Sequence, residues 1–176
     1  MSSAQALAIL DDYREAAEVR EAAIRYLADR ATPAVIAHLV RALQDDDFGV
    51  RWEAANRLAQ LGEPALLEVL KALTDPQRVD DPRLRDSAYH ILHVTHAKMT
   101  VSTDKLLEAL KGPAAEIASL VAAYWVLRAL KEKQSEKTLA GKVGTATTRP
   151  PSMPSEEYSS ARLIGQLSRL NRHHID

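Results

Sequence analysis

The chain has 176 residues, enough for one domain of ordinary size with a working core. Hydrophobic residues make up 46% but aromatics only 5%, with Ala and Leu prominent, a balance that favours helix over strand. The 23 basic and 24 acidic residues leave a formal charge of −1, so no global field steers the chain to nucleic acid or anionic lipid. Without cysteine there is no disulfide framework, thiolate zinc site or thiol nucleophile.

The opening Met1-Ser2-Ser3-Ala4-Gln5 lacks a basic leader region, and no apolar run approaches the ~18 residues of a membrane span. A cytoplasmic protein is the expectation. A short helix is predicted near 3–11, followed by one near 15–29. Thr32-Pro33 supplies a hydroxyl cap and a proline at the first helical position, opening a helix near 33–44. A helix near 47–61 ends at Gly62, and Pro64 starts the next, near 64–74. Asp81-Pro82 opens a helix near 82–97. A further helix near 103–111 is followed by Gly112-Pro113, a second stop-and-start signal, and by a helix near 113–133.

Apolar residues at helical spacing support these segments. Ile36, Leu39, Val40 and Leu43 share a face, as do Leu66, Val69, Leu70 and Leu73. Val19, Ala23 and Leu27 form the stripe of a partner helix, and Val50, Ala54 and Leu58 that of another. Four stretches then align: Val19-Arg20-Glu21-Ala22-Ala23, Val50-Arg51-Trp52-Glu53-Ala54, Leu84-Arg85-Asp86-Ser87-Ala88 and, more weakly, Ile117-Ala118-Ser119-Leu120-Val121. Their intervals are 31, 34 and 33 residues. Such a period marks stacked helical hairpins, each leaving an apolar face that only the next can cover.

The run from Asp45 through Val50-Arg51-Trp52-Glu53-Ala54-Ala55 to Leu61-Gly62 resembles a HEAT repeat, specifically the short bacterial subtype associated with phycobilin lyases. The resemblance is strong over 19–75 and fair over 82–111. It decays in the fourth unit, where Ala118 stands in place of the arginine. It implies an all-α, right-handed α-solenoid of about four hairpins over residues 1–133, acting as a protein-binding scaffold.

Beyond Lys133 the composition changes. Residues 134–155, with Arg149-Pro150-Pro151 and Pro154, read as a linker, long enough for a reach of roughly 25 Å. Residues 156–172 read as an amphipathic C-terminal helix whose stripe includes Tyr158, Ile164, Leu167 and Leu170.

Candidate site residues follow from the alignment. Arg20, Arg51 and Arg85 recur at one position and read as a structural ladder, with Asp45, six residues before Arg51, as that arginine's expected partner. His90 and His93 can share a helix face, and Asp86 would have to be a third ligand, but the stronger helical zinc signature H-E-x-x-H is missing; no metal or other cofactor is expected. Trp125 occupies a leucine position and reads as core. Trp52 lies off its helix's stripe, so it is either an exposed interface anchor or packed on a neighbouring repeat. The second helices of the pairs give outward columns His38/Glu68/Lys105, Arg41/Lys71/Glu108 and Gln44/Thr74/Lys111. Their mixed signs suit a protein or peptide partner better than nucleic acid.

The leading reading is therefore a non-enzymatic scaffold or adaptor with no catalytic residues. Its C-terminal helix would cap the open end of the stack, dock on a partner or join two copies. The alternatives are an accessory, lyase-like protein that assists cofactor attachment and a HEAT-like DNA glycosylase, which would need a basic, aromatic-lined cleft.

Overall fold

A computed structural model of the chain describes residues 1–140. Those residues form nine α-helices and one 3₁₀ turn, without strands. Most of the expected linker, and the whole expected helix over 156–172 with Tyr158, Ile164, Leu167 and Leu170, lie outside the described residues. Met1–Leu139 form one compact unit.

The first helix, α1 (Ser3–Asp11), begins in a capping box: the Ser2 hydroxyl accepts from the Gln5 amide at 3.2 Å, and the Gln5 side chain accepts from the Ser2 amide at 2.8 Å. Then come α2 (Ala17–Ala28), α3 (Pro33–Ala42), α4 (Phe48–Leu61) and α5 (Glu63–Leu73). Thr32 caps α3 through the Val35 amide, and Asp47 caps α4 through the Val50 amide. Gly62 separates α4 from α5 with a φ of 75°, a backbone state available to glycine at little cost. A short helix, α6 (Pro76–Val79), follows Asp75 inside what the sequence presents as a connector, and buried Val79 pins it to the core. The series ends with α7 (Pro82–Thr95), the 3₁₀ turn His96–Lys98, α8 (Asp104–Lys111) and α9 (Ala115–Ala140), which continues beyond the expected end at Lys133.

Two layers result. Helix α4 packs between α2 and α7, while α3 packs on α5 in the second layer and α7 on α8; α1 covers α2 and α3. The core lies between the layers. Ala23, Ile24 and Leu27, then Val50, Ala54 and Leu58, then Leu84, Ala88 and Leu92 are all fully or almost fully buried on the first layer. The two four-residue stripes of α3 and α5 meet them. This is an all-α helical solenoid. Val19 departs from its expected stripe: it is 40% exposed in the first turn of α2, and its neighbour Arg20 is buried instead.

The fourth unit is in a different register from the aligned one. Ser119, Ala123, Val126, Leu127 and Leu130 form the buried face of α9, whereas Ile117 is 53% exposed and Trp125 only half-buried. Ser119 thus stands where Val50 and Leu84 stand, two residues later than the sequence alignment put it. The turn explains the shift. Gly112 is extended, Pro113 does not start the helix, and Ala114 takes the left-handed conformation with a φ of 55° before α9 begins at Ala115.

An L-residue held there costs roughly 1–2 kcal/mol, against a chain-entropy cost of roughly 0.5–1 kcal/mol for glycine. Ala114→Gly should therefore stabilise the fold by about 0.5–1 kcal/mol, read as a higher urea midpoint with an unchanged m-value.

Candidate functional site: the repeat joints and the second-layer face

The recurrent arginines bind the chain that leads into their own helices. Arg20 Nη1 donates to the carbonyls of Glu15 at 2.6 Å and Tyr13 at 3.3 Å. Arg51 Nη1 donates to the carbonyls of Asp45 at 2.7 Å and Asp46 at 2.8 Å, and Arg85 Nη1 to that of Val79. Each guanidinium satisfies carbonyls at a helix entry, where no helical amide can reach them. The Asp45 carboxylate, expected to pair with Arg51, pairs instead with Arg20 Nη2 at 2.8 Å, and both side chains are buried. The reason is geometric: Arg51 reaches the Asp45 main chain, leaving the carboxylate turned to the preceding repeat. Asp45 also accepts from the Asp47 amide, holding the turn before α4.

Residue 79 is the counterpart of Asp45, six residues before Arg85, and it is valine. The second joint uses other groups. Arg78 on α6 donates through Nε and Nη2 to the Gln44 side-chain oxygen at 2.9 and 2.8 Å, and Gln44 Nε2 donates to Asp81 at 3.2 Å. Arg83 pairs with Asp46, and the Ser87 hydroxyl donates to the Leu43 carbonyl at 3.3 Å. Burial pulls the Arg78 guanidinium below its ordinary value, with Asp75 opposing and Arg41 reinforcing. Burial pushes the Asp81 carboxyl up, but hydrogen bonds from the Arg83 amide, Gln44 and the Arg83 guanidinium outweigh it and hold the group below the usual carboxylate value.

These bonds reassign part of the expected binding columns. Gln44 belongs to the joint. His38 and Arg41 both reach Asp11 of α1, at 3.0 and 3.4 Å, tying α1 to α3. Lys111 reaches Asp86 at 3.0 Å and lies 4.5 Å over the Tyr89 ring, tying α8 to α7. Glu68 and Lys71 pair with each other at 2.6 Å on α5, and Lys105 and Glu108 lie exposed on α8. Between α3 and α5, closed at one end by Asp75 and Arg78, runs a groove of about 260 Å³ floored by Ala37, Val40 and Ala72, with Glu68 and Lys71 on its rim. Asp11, Asp75 and Arg78 were not among the site residues expected from the sequence; a second Asp-Pro pair at Asp75-Pro76 is the signal that marks α6.

On the first layer, Trp52 both packs on a neighbouring repeat and remains exposed. Its ring lies 4.4 Å from that of His90 on α7 and 6.1 Å from that of Phe48, while 46% of the residue stays accessible. His90 Nε2 bonds to the Asn56 side-chain oxygen at 3.1 Å, so the neutral ring carries its proton on Nε2. His93 stacks between Tyr89 and His96. Among the described residues no group of three or more His, Asp or Glu side chains is arranged to hold a metal.

A family model described as HEAT repeats matches residues 3–93, more than half of the chain. The chain belongs to the HEAT-repeat family. Neither the curated proteins nor the solved structures compared with it gave a match. HEAT repeats generally mediate protein interactions, and the matched residues include the first two repeats, both sides of the Arg20–Asp45 joint and most of α7. No described helix of this HEAT protein is long and apolar enough to cross a membrane.

Removing the Asp45 carboxylate strands a buried guanidinium, so Asp45→Ala should cost about 3–5 kcal/mol of unfolding free energy by urea titration. Burial first, then the charge of His93, lowers the pKa of His90. The folded state thus takes up this proton less readily than the unfolded chain. Its contribution is intact above the unfolded value near 6.5 and is lost as pH falls from there through the lower folded value. The stability difference between wild type and His90→Gln, whose amide can still donate to Asn56, should shift in that window and be constant above pH 7.5.

Proposed function

We propose that this HEAT protein is a non-enzymatic cytoplasmic adaptor that holds a partner protein or peptide on the face formed by α3, α5 and α8. The supporting observation is the α3–α5 groove: an apolar floor of small residues with acidic and basic groups alternating along its rim. Such a rim matches a peptide or loop of mixed charge and gives no continuous basic track for a phosphate backbone. Lys105 and Glu108 extend the alternation on α8. The C-terminal segment, with its apolar residues Tyr158, Ile164, Leu167 and Leu170, acts in this reading as a cap on the stack or as a helix offered to a partner or to a second copy.

The test is affinity capture from native lysate, quantified by mass spectrometry, with wild type, Lys71→Glu, Arg41→Glu and a chain ending at Leu139. That end point keeps all of α9 but its last residue, together with the Gln134–Glu63 hydrogen bond. Proteins enriched by the wild type should fall about tenfold with the charge reversals, a loss of ~1.4 kcal/mol. Their retention by both reversed variants would sink the assignment of this face. Loss on truncation alone would assign recognition to the C-terminal segment.

A further inference from the structure

Helix α9 is apolar on two sides. Ala123, Val126, Leu127 and Leu130 bury one side in the core. On the other, Ile117 and Tyr124 are each 53% exposed and Val121 is half-buried, at the i, i+4, i+7 spacing of a second stripe. Past Tyr124 the same side carries Arg128 and Lys131, where a shallow groove of about 440 Å³ runs along α9 alone. The last hairpin of a helical stack needs its outer face covered, and among the described residues nothing follows α9 to do so. The ends of this face differ in charge. Glu116 stands at its start and Lys131 toward its far end, neither in an ion pair among the described residues, while Arg128 is already paired with Glu132.

The chain itself carries a segment of matching pattern. Residues 156–172 begin with Glu156 and Glu157, continue through the Tyr158, Ile164, Leu167 and Leu170 stripe, and end with Arg169 and Arg172. As a helix this segment would be about 25 Å long, against about 21 Å of α9 between Lys131 and Ile117. The fifteen residues 141–155 join it to the end of α9 with a reach of roughly 20 Å. Residue 156 has to travel back about 14 Å from Ala140 to stand opposite Lys131, but about 35 Å to stand opposite Ile117. The tether therefore favours an antiparallel course. Charge favours the same course, since it sets Glu156 and Glu157 beside Lys131 and Arg172 beside Glu116. A parallel course would set acid on acid.

We infer that residues 156–172 fold back as a helix antiparallel to α9, with Ile164, Leu167 and Leu170 covering the Ile117–Val121–Tyr124 face and Glu156–Glu157 beside Lys131. This rests on the capping role proposed above for the C-terminal segment and gives that cap its surface. The segment is then spent within the chain, and the α3–α5 groove is left as the surface open to a partner.

Hydrogen-exchange mass spectrometry of the purified full chain, with no partner present, tests it. Amides of 156–172 should exchange at least roughly tenfold more slowly than those of 141–155, and Ile117→Asp and Tyr124→Asp should each remove most of that difference. Both substituted side chains are half exposed, and unchanged exchange across α2–α7 would show that the fold is intact. Free exchange of 156–172 in the wild type overturns the inference, as does protection that survives both substitutions. Protection that falls on tenfold dilution also overturns it, by making a second copy of this chain the occupant. Capture of a partner on the groove does not enter this readout, so either assignment can fail while the other stands.

Discussion

Helices of the first layer must lie close enough for their apolar stripes to meet, yet each is preceded by a turn whose carbonyls would then be crowded away from water. Alanine solves the first half of this conflict. Ala23, Ala54 and Ala88, almost wholly buried at equivalent positions, let helix backbones approach. The arginine three residues before each alanine solves the second half, by carrying its Nη1 donors back to the turn. Without those donors, burying the turns would cost about 1–3 kcal/mol for each stranded carbonyl. The pattern of one arginine and one small residue per hairpin is thus a single solution to close packing, repeated three times.

The joints between hairpins are less uniform. Between the first and second, a buried guanidinium and a buried carboxylate meet at 2.8 Å, an arrangement intolerant of losing either partner. Between the second and third, valine replaces the carboxylate. The apolar side chain of Val79 fills the site, and polar linkage moves outward to Gln44, Arg78, Asp81 and Arg83. That second joint is only partly buried and is built from several modest bonds. Removing one leaves the others, so the second joint should give way more gradually than the first. The inserted α6 makes this possible, since it carries Arg78 to Gln44.

Much of this was legible in the sequence, for a definite reason. Helix positions follow from the 3.6-residue period and from capping pairs such as Thr32-Pro33 and Asp81-Pro82, which act locally. The stripes of α3 and α5 are buried as read. Partner choice is not local. Asp45 is six residues from Arg51 and 25 from Arg20, yet its carboxylate belongs to Arg20 because the turn faces the earlier repeat. Register failed in α9 for a similar reason. Counting from Ile117 assumes a helix starting at Pro113, and the left-handed Ala114 delays the start. The buried Ser119, whose hydroxyl has no partner among the described residues, could not be recognised as a core position from its type.

Bonds within the chain separate the surface into groups a partner could recruit and groups it could not. An outward column drawn from sequence treats every polar residue as available. Gln44 is not, since displacing it would break three side-chain bonds at a partly buried joint. His38 and Arg41 are intermediate, because they share the Asp11 carboxylate and can yield one bond while keeping the other. Lys71 and Glu68 are the most readily recruited: an exposed ion pair three residues apart on one helix contributes about 0–1 kcal/mol, so exchanging it for contacts with a ligand costs little. Availability, in a helical stack bound together through its polar side chains, is decided less by exposure than by how many hydrogen bonds within the chain a newcomer must break.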